Sequence, residues 1–158
     1  MRVSISRRTV EVAHVILTTT KPFAAVRASL EATVPRLDDE IPVLLADGLT
    51  DRLKQRVEAA PELSIFQQRD YGLLYQLYGY AHKAVQYEIG NPLKASWITR
   101  RRPAVGLYVP QRVILYETDA GRSCVEYHLP ASLLYHFDGE RIDQLNAELE
   151  RTLSSAVS

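Results

Sequence analysis

Lys83-Ala84-Val85-Gln86-Tyr87-Glu88-Ile89-Gly90-Asn91-Pro92-Leu93 is the stretch on which the fold turns. Lys83, Val85, Tyr87 and Ile89 alternate with Ala84, Gln86 and Glu88, the period-two pattern of a strand with one buried face. Gly90 stops it. Asn91 offers a side-chain acceptor to the free amides of a helix start, and Pro92 suits the first helical position. A helix is therefore expected through Leu93, Ser96 and Trp97 towards Arg100-Arg101-Arg102-Pro103. Strand passes into helix across the turn Ile89 to Pro92.

Upstream, Thr9 to Thr19 is rich in β-branched residues, with Val10, Val12, His14 and Ile16 on one parity, and reads as a first strand. Lys21-Pro22 opens a helix on which Phe23, Val26, Leu30 and Val34 share a face until Pro35 ends it. Arg36 to Asp47, interrupted by Pro42, shows no sustained period and reads as an irregular connection. Thr50 is placed to cap a second helix, with Asp51 in its first turn; Leu53, Val57 and Ala60 give it one thin apolar side before Pro61. Leu63 to Arg69 reads as a strand, and Asp70 as the cap of a short helix carrying Leu74, Tyr75 and Tyr78 up to Gly79.

Downstream, Gly106 to Glu117 and Arg122 to Leu129 form a hairpin around Thr118-Asp119-Ala120-Gly121, with Pro110 marking a bulge or an edge. A final helix from Asp138 to about Leu153 aligns Ile142, Leu145, Leu149 and Leu153, while Ser154 to Ser158 is expected to fray. The order predicts one domain over 1–158 with an ordered core of about 8–154. Its class is α+β, a largely antiparallel sheet of about five strands with helices packed on one face, because sequential strands outnumber regular strand–helix alternation.

At 158 residues the chain is long enough to bury a core without metal or disulfide support. Nineteen basic and nineteen acidic residues balance to zero, so no global field draws it to nucleic acid or to an anionic membrane. The lone Cys124 fits a reducing compartment, with the cytoplasm as the expected location. The N-terminal arginines are followed by Thr9-Val10-Glu11-Val12-Ala13-His14, too polar for a signal-peptide core, and no run approaches the roughly 20 apolar residues of a membrane span.

Three blocks occur in order: Gly90-Asn91-Pro92, then Leu107-Tyr108-Val109-Pro110-Gln111-Arg112, then Tyr127-His128-Leu129-Pro130. With Lys83 to Ile89 before them and Ala131-Ser132 after, they resemble the domain of unknown function 302 family. The resemblance covers the second half of the chain well, and the first strand and helix loosely. It implies a fold similar to the TATA-box-binding-protein-like class, β-α-β(4)-α with extra short helices here, often dimeric. It implies no activity. The chain departs from the family pattern at Asp70-Tyr71-Gly72, where a histidine often follows the aspartate, and at Ile98, where methionine is common. No histidine- or methionine-dependent role is carried over.

Several groups carry chemistry in either a functional or a structural reading. The amides at Gly90-Asn91-Pro92 suit a phosphate or carboxylate, with Lys83, Lys94 or Arg112 as countercharge; equally, Asn91 satisfies those amides itself. Arg100-Arg101-Arg102 matches a nucleic-acid or acidic-partner contact, yet cations are also favoured at a helix C-terminus. Nine tyrosines stand against three phenylalanines. Tyr71, Tyr75 and Tyr78 share a helical side, while Tyr87, Tyr116 and Tyr127 lie on expected strands, which suits a ligand pocket or an interface as well as ordinary packing.

His14, His82, His128 and His136 show no metal-ligand spacing, so no metal or cofactor is expected. His14 and His128 would meet only on neighbouring strands, with Cys124 or Glu126 near them. Cys124 itself reads as a small buried hydrophobe. Asp70 and Glu88 are the carboxylates to inspect for acid–base roles. No nucleophile elbow, phosphate-binding loop or dinucleotide fingerprint is present.

The sequence thus points to a non-enzymatic binding or interaction module, a homodimer without nucleic-acid or membrane partners. Its small apolar or anionic ligand would be held by Gly90, Asn91, Lys83, Tyr87, Arg112, Tyr116 and Tyr127. The competing readings are an enzyme acting on a small molecule through Tyr87, Arg112, Tyr127 and His128, and a purely structural dimerisation domain.

Overall fold

The structure, a computed structural model, describes residues 2–48, 50–134 and 140–158. Five strands form one antiparallel sheet in the order β1-β5-β4-β3-β2. They are β1 (His14–Thr19), β2 (Ser64–Asp70), β3 (Ala84–Gly90), β4 (Gln111–Glu117) and β5 (Ser123–His128). The first strand pairs with the last, and the pairing aligns His14 with His128, Ile16 with Glu126 and Thr18 with Cys124. The sheet class and strand number agree with the sequence reading.

The helices are α1 (Phe23–Thr33), α2 (Glu40–Ala46), α3 (Thr50–Glu58), α4 (Tyr71–Tyr75), α5 (Pro92–Thr99), α6 (Pro130–Leu134) and α7 (Glu140–Val157), with 3-10 turns at Gln76–Tyr78 and Pro103–Leu107. Alternation on the strands decides which sheet face they cover. Val85, Tyr87 and Ile89 of β3, Val113 and Leu115 of β4, and Val125 and Tyr127 of β5 are buried together. Against them lie Phe23, Val26 and Leu30 of α1 and Leu145, Leu149 and Leu153 of α7. Each such fully buried side chain contributes about 1.5–3 kcal/mol through the water it leaves. No helix among the described residues is long and apolar enough to cross a membrane.

Four local expectations are corrected. The first strand begins at His14 rather than Thr9, because His14↔His128 is the last pair and β-branched residues before it have no partner strand. Arg36 to Asp47 contains α2, whose Ile41 and Leu44 are buried; Pro42 lies in its first turn, where the missing amide breaks no helical bond. Two 2.7 Å ion pairs from Arg56 of α3, to Asp38 and Glu40, tie the two helices together.

Residues 106–110 precede β4 rather than belong to it. They lie in the second 3-10 turn and in a segment with a cis Val109–Pro110 bond. Finally, α7 runs on to Val157, and Ala156 and Val157 enter the core instead of fraying. The expected start of that helix at Asp138 lies outside the described residues.

Other expectations are met closely. Asp70 caps α4 by accepting from the Leu73 amide at 3.1 Å, and Gly121 takes a positive φ of 72° in the β4–β5 turn. Thr50 begins α3, which buries none of its residues.

Candidate functional site

The residues singled out from the sequence fall in three places. The first is the turn after β3. Asn91 Oδ1 accepts from the Lys94 amide at 2.9 Å, and Asn91 Nδ2 donates to the Glu62 carbonyl at 3.1 Å, so the side chain caps α5 and ties it to the chain before β2. The Lys94 ammonium lies 2.6 Å from Glu148 and 3.0 Å from Glu62. Burial pulls that ammonium down, but hydrogen bonds and charge from Glu148 and Glu62 outweigh it and hold its pKa above the ordinary value.

Gly90 sits in a tight space, since a Cβ on it would meet Pro110 Cβ at 3.3 Å and Pro110 would have to give by a few tenths of an ångström. Beneath the turn is an apolar cavity of only ≈ 40 Å³, lined by Leu63, Phe66, Ile89, Leu145 and Leu149. That volume leaves room for little more than a water.

The second place is the core face. The Tyr87 ring is fully buried, and its hydroxyl donates to Glu31 of α1 at 2.9 Å. Glu31 in turn accepts from Arg27 at 3.0 Å and from Gln68 at 3.2 Å. Burial first, then the Glu31 bond, pushes the Tyr87 phenol far above its usual range. Tyr127 is also in the core, its phenol pushed up to about 12 chiefly by burial. Both tyrosines therefore serve the sheet–helix interface. Asp70 and Glu88 are likewise engaged structurally, with Arg27 at 3.4 Å and Arg69 at 2.8 Å respectively.

The third place is the sheet face opposite α1 and α7, which no long helix among the described residues covers. The opposite parity of the same strands puts Gln86 and Glu88, Arg112, Ile114 and Tyr116, and Cys124, Glu126 and His128 there, with His14, Ile16 and Thr18 of the edge strand. Glu126, on β5 between β1 and β4, links side chains of both neighbouring strands. One carboxylate oxygen accepts a short hydrogen bond from the Tyr116 hydroxyl, and the other lies 2.6 Å from His14 Nε2. The Tyr116 bond, with His14 behind it, holds the Glu126 carboxyl below the usual carboxylate range against the opposing effect of burial.

The same bond, together with burial and Cys124, raises the Tyr116 phenol. Tyr116 is thus placed to donate and Glu126 to accept. Cys124 is buried against Thr18 Oγ1 at 3.4 Å, and the His14 and His128 rings meet edge-on at 5.2 Å. Among the described residues no group of three or more histidine, cysteine or acidic side chains is placed to hold a metal.

Beside this chain of hydrogen bonds lies a cleft of ≈ 820 Å³. Tyr75, Tyr78 and Tyr80, from α4 and the turn after it, wall one side; Ile114, Tyr116 and Glu126 belong to the sheet side, and His82, Lys83, Ala84 and Glu117 complete the lining. Lys83 and Glu117 are themselves paired at 3.0 Å. Arg112 and His128 lie apart from it, in a separate depression of ≈ 430 Å³ with Val12, Tyr108 and Leu133.

The structure therefore brings Lys83 and Tyr116 together and places Gly90, Asn91, Tyr87, Tyr127 and Arg112 elsewhere. Tyr80 and Ile114 were missed from sequence, and Glu126 appeared only as a neighbour of the histidines. Strand parity carried the missing signal: Tyr116 alternates out of phase with Val113 and Leu115, whereas Tyr87 and Tyr127 are in phase with the core. Arg100 to Arg102 are exposed at the end of α5, and His136 lies outside the described residues.

Comparison with known proteins bears on the fold. The family model DUF302, a domain of unknown function, matches residues 46–158. The crystal structure of an uncharacterized conserved DUF302 protein from Bacillus stearothermophilus is similar, with a TM-score of 0.59 at 16% identity over 91% of this chain and 94% of that one. Identity that low speaks for a shared fold alone. No curated protein matches the chain.

Proposed function

The chain belongs to the DUF302 family, and from that footing we propose that it is a non-enzymatic small-molecule-binding module whose ligand lies in the tyrosine-walled cleft of the open sheet face. The observation that carries this is the cleft itself, ≈ 820 Å³ with Tyr75, Tyr78, Tyr80 and Ile114 beside the hydrogen-bonded Tyr116–Glu126 pair. Such a volume suits a small organic molecule, and aromatic walls with few convergent polar atoms are the usual make-up of such sites.

Of the two ligand classes open from sequence, the cleft disfavours the anionic one, because its aromatic walls stand beside the Glu126 carboxylate. At the Gly90-Asn91-Pro92 turn the Lys94 amide and ammonium already have protein partners, which argues for capping over anion capture.

A fluorescence titration with the neutral aromatic probe N-phenyl-1-naphthylamine tests this. Saturable one-to-one binding is expected, weakened about tenfold by Tyr75→Ala or Tyr80→Ala, as loss of one aromatic wall implies. Binding that ignores both substitutions, or no saturable binding, contradicts the proposal.

A second reading, a homodimer of this module, is favoured by the exposed Leu73, Leu77 and Tyr78, which are 62%, 77% and 79% accessible within six residues. Apolar surface gathered in this way commonly marks an interface. Native mass spectrometry of the full chain distinguishes the outcomes: twice the 17.9 kDa chain mass supports the dimer, and the single mass refutes it.

A further inference from the structure

Resting on that cleft reading, we infer that the ligand is a flat organic cation, recognised by Glu126. The polar groups of the cleft differ in what they leave available. Lys83 and Glu117 satisfy one another at 3.0 Å, and His82 faces Asp119 at 3.9 Å. Glu126 is bound to Tyr116 and His14 and, among the described residues, has no lysine or arginine hydrogen-bonded or ion-paired to it. A carboxylate has about four acceptor positions, so two remain for a ligand.

The two existing bonds also fix the group. Its neighbours stand on β1 and β4, on either side of β5, so the carboxylate is gripped from both flanking strands and needs little reordering on binding. The walls agree in sign: tyrosine faces are negative and attract cations, and three of them stand with Tyr116 around the same space. An anion would meet the Glu126 charge and those ring faces together. A neutral apolar molecule would fill the cleft but leave the carboxylate partly unanswered.

Three planar, water-soluble molecules of nearly equal size separate these cases: benzamidine, benzamide and benzoate. Calorimetric titration of the full chain near pH 7.5 is expected to show benzamidine binding at least tenfold more tightly than the other two. Glu126→Gln should bring it down to the benzamide level, with the melting temperature recording that the variant is folded. Equal binding of benzamidine and benzamide, or tighter binding of benzoate, overturns the inference while leaving the cleft reading intact. Binding by none of the three overturns both.

Discussion

Glu126 and His14 meet at 2.6 Å across neighbouring antiparallel strands, two residues out of direct register, because Glu126 is paired with Ile16 and His14 with His128. This diagonal contact is a product of strand order, in which the first strand lies against the last. It completes the Tyr116–Glu126–His14 chain on the face left open by the long helices.

That chain makes stability depend on pH in a defined direction. The Glu126 carboxyl is held below its ordinary value of 4.5, so its contribution is fully present above that value and is lost as pH falls through the lower, folded value. Glu126→Gln should therefore flatten the stability profile below about pH 5 relative to the unaltered chain. Chemical denaturation between pH 3 and 7 measures it; parallel profiles would show that the three groups are not coupled.

Asn91→Ala should cost about 1–2 kcal/mol by uncapping α5, while probe binding in the cleft stays unchanged. Asn91→Asp keeps the acceptor for Lys94 and should cost less. Urea denaturation with a parallel probe titration reads both quantities. A large loss of binding with unaltered stability would return the turn to the position of a ligand site.

Tyr87→Phe and Tyr116→Phe remove the same atom from opposite faces of the sheet. The first takes a donor from Glu31 and should cost about 1 kcal/mol of stability with no effect on binding. The second releases Glu126 and should weaken benzamidine binding several-fold. Paired melting and calorimetric measurements check the crossover; equal effects on binding would remove the distinction between the faces.

Ending the chain at Ser154 should destabilise it by about 2–3 kcal/mol, since the buried Ala156 and Val157 are lost from the core. Thermal denaturation of the shortened chain measures this. An unchanged melting temperature would mean that the final turn of α7 is dispensable.

Much of the sheet was legible because alternation at Lys83–Ile89 and turn chemistry at Asn91, Asp70 and Gly121 are local properties. What was misread depended on partners. The start of β1 is set by where β5 ends, and the end of α7 by the core that receives Val157. The helix after Asp39 was hidden because Pro42 marks a break in most positions but not in a first turn. The site was less legible than the fold. Parity alone separates Tyr116 from Tyr87 and Tyr127, but only strand order shows that His14 reaches Glu126 and that Tyr75, Tyr78 and Tyr80 overhang the same face.

The central claim, that the open sheet face is the binding face, is tested most directly by a ¹H–¹⁵N correlation titration of the full chain with indole, a neutral soluble aromatic. Saturable shifts are expected at the amides of 75–84, 114–117 and 126. Shifts centred on 89–95 instead, or none that saturate, would contradict the account.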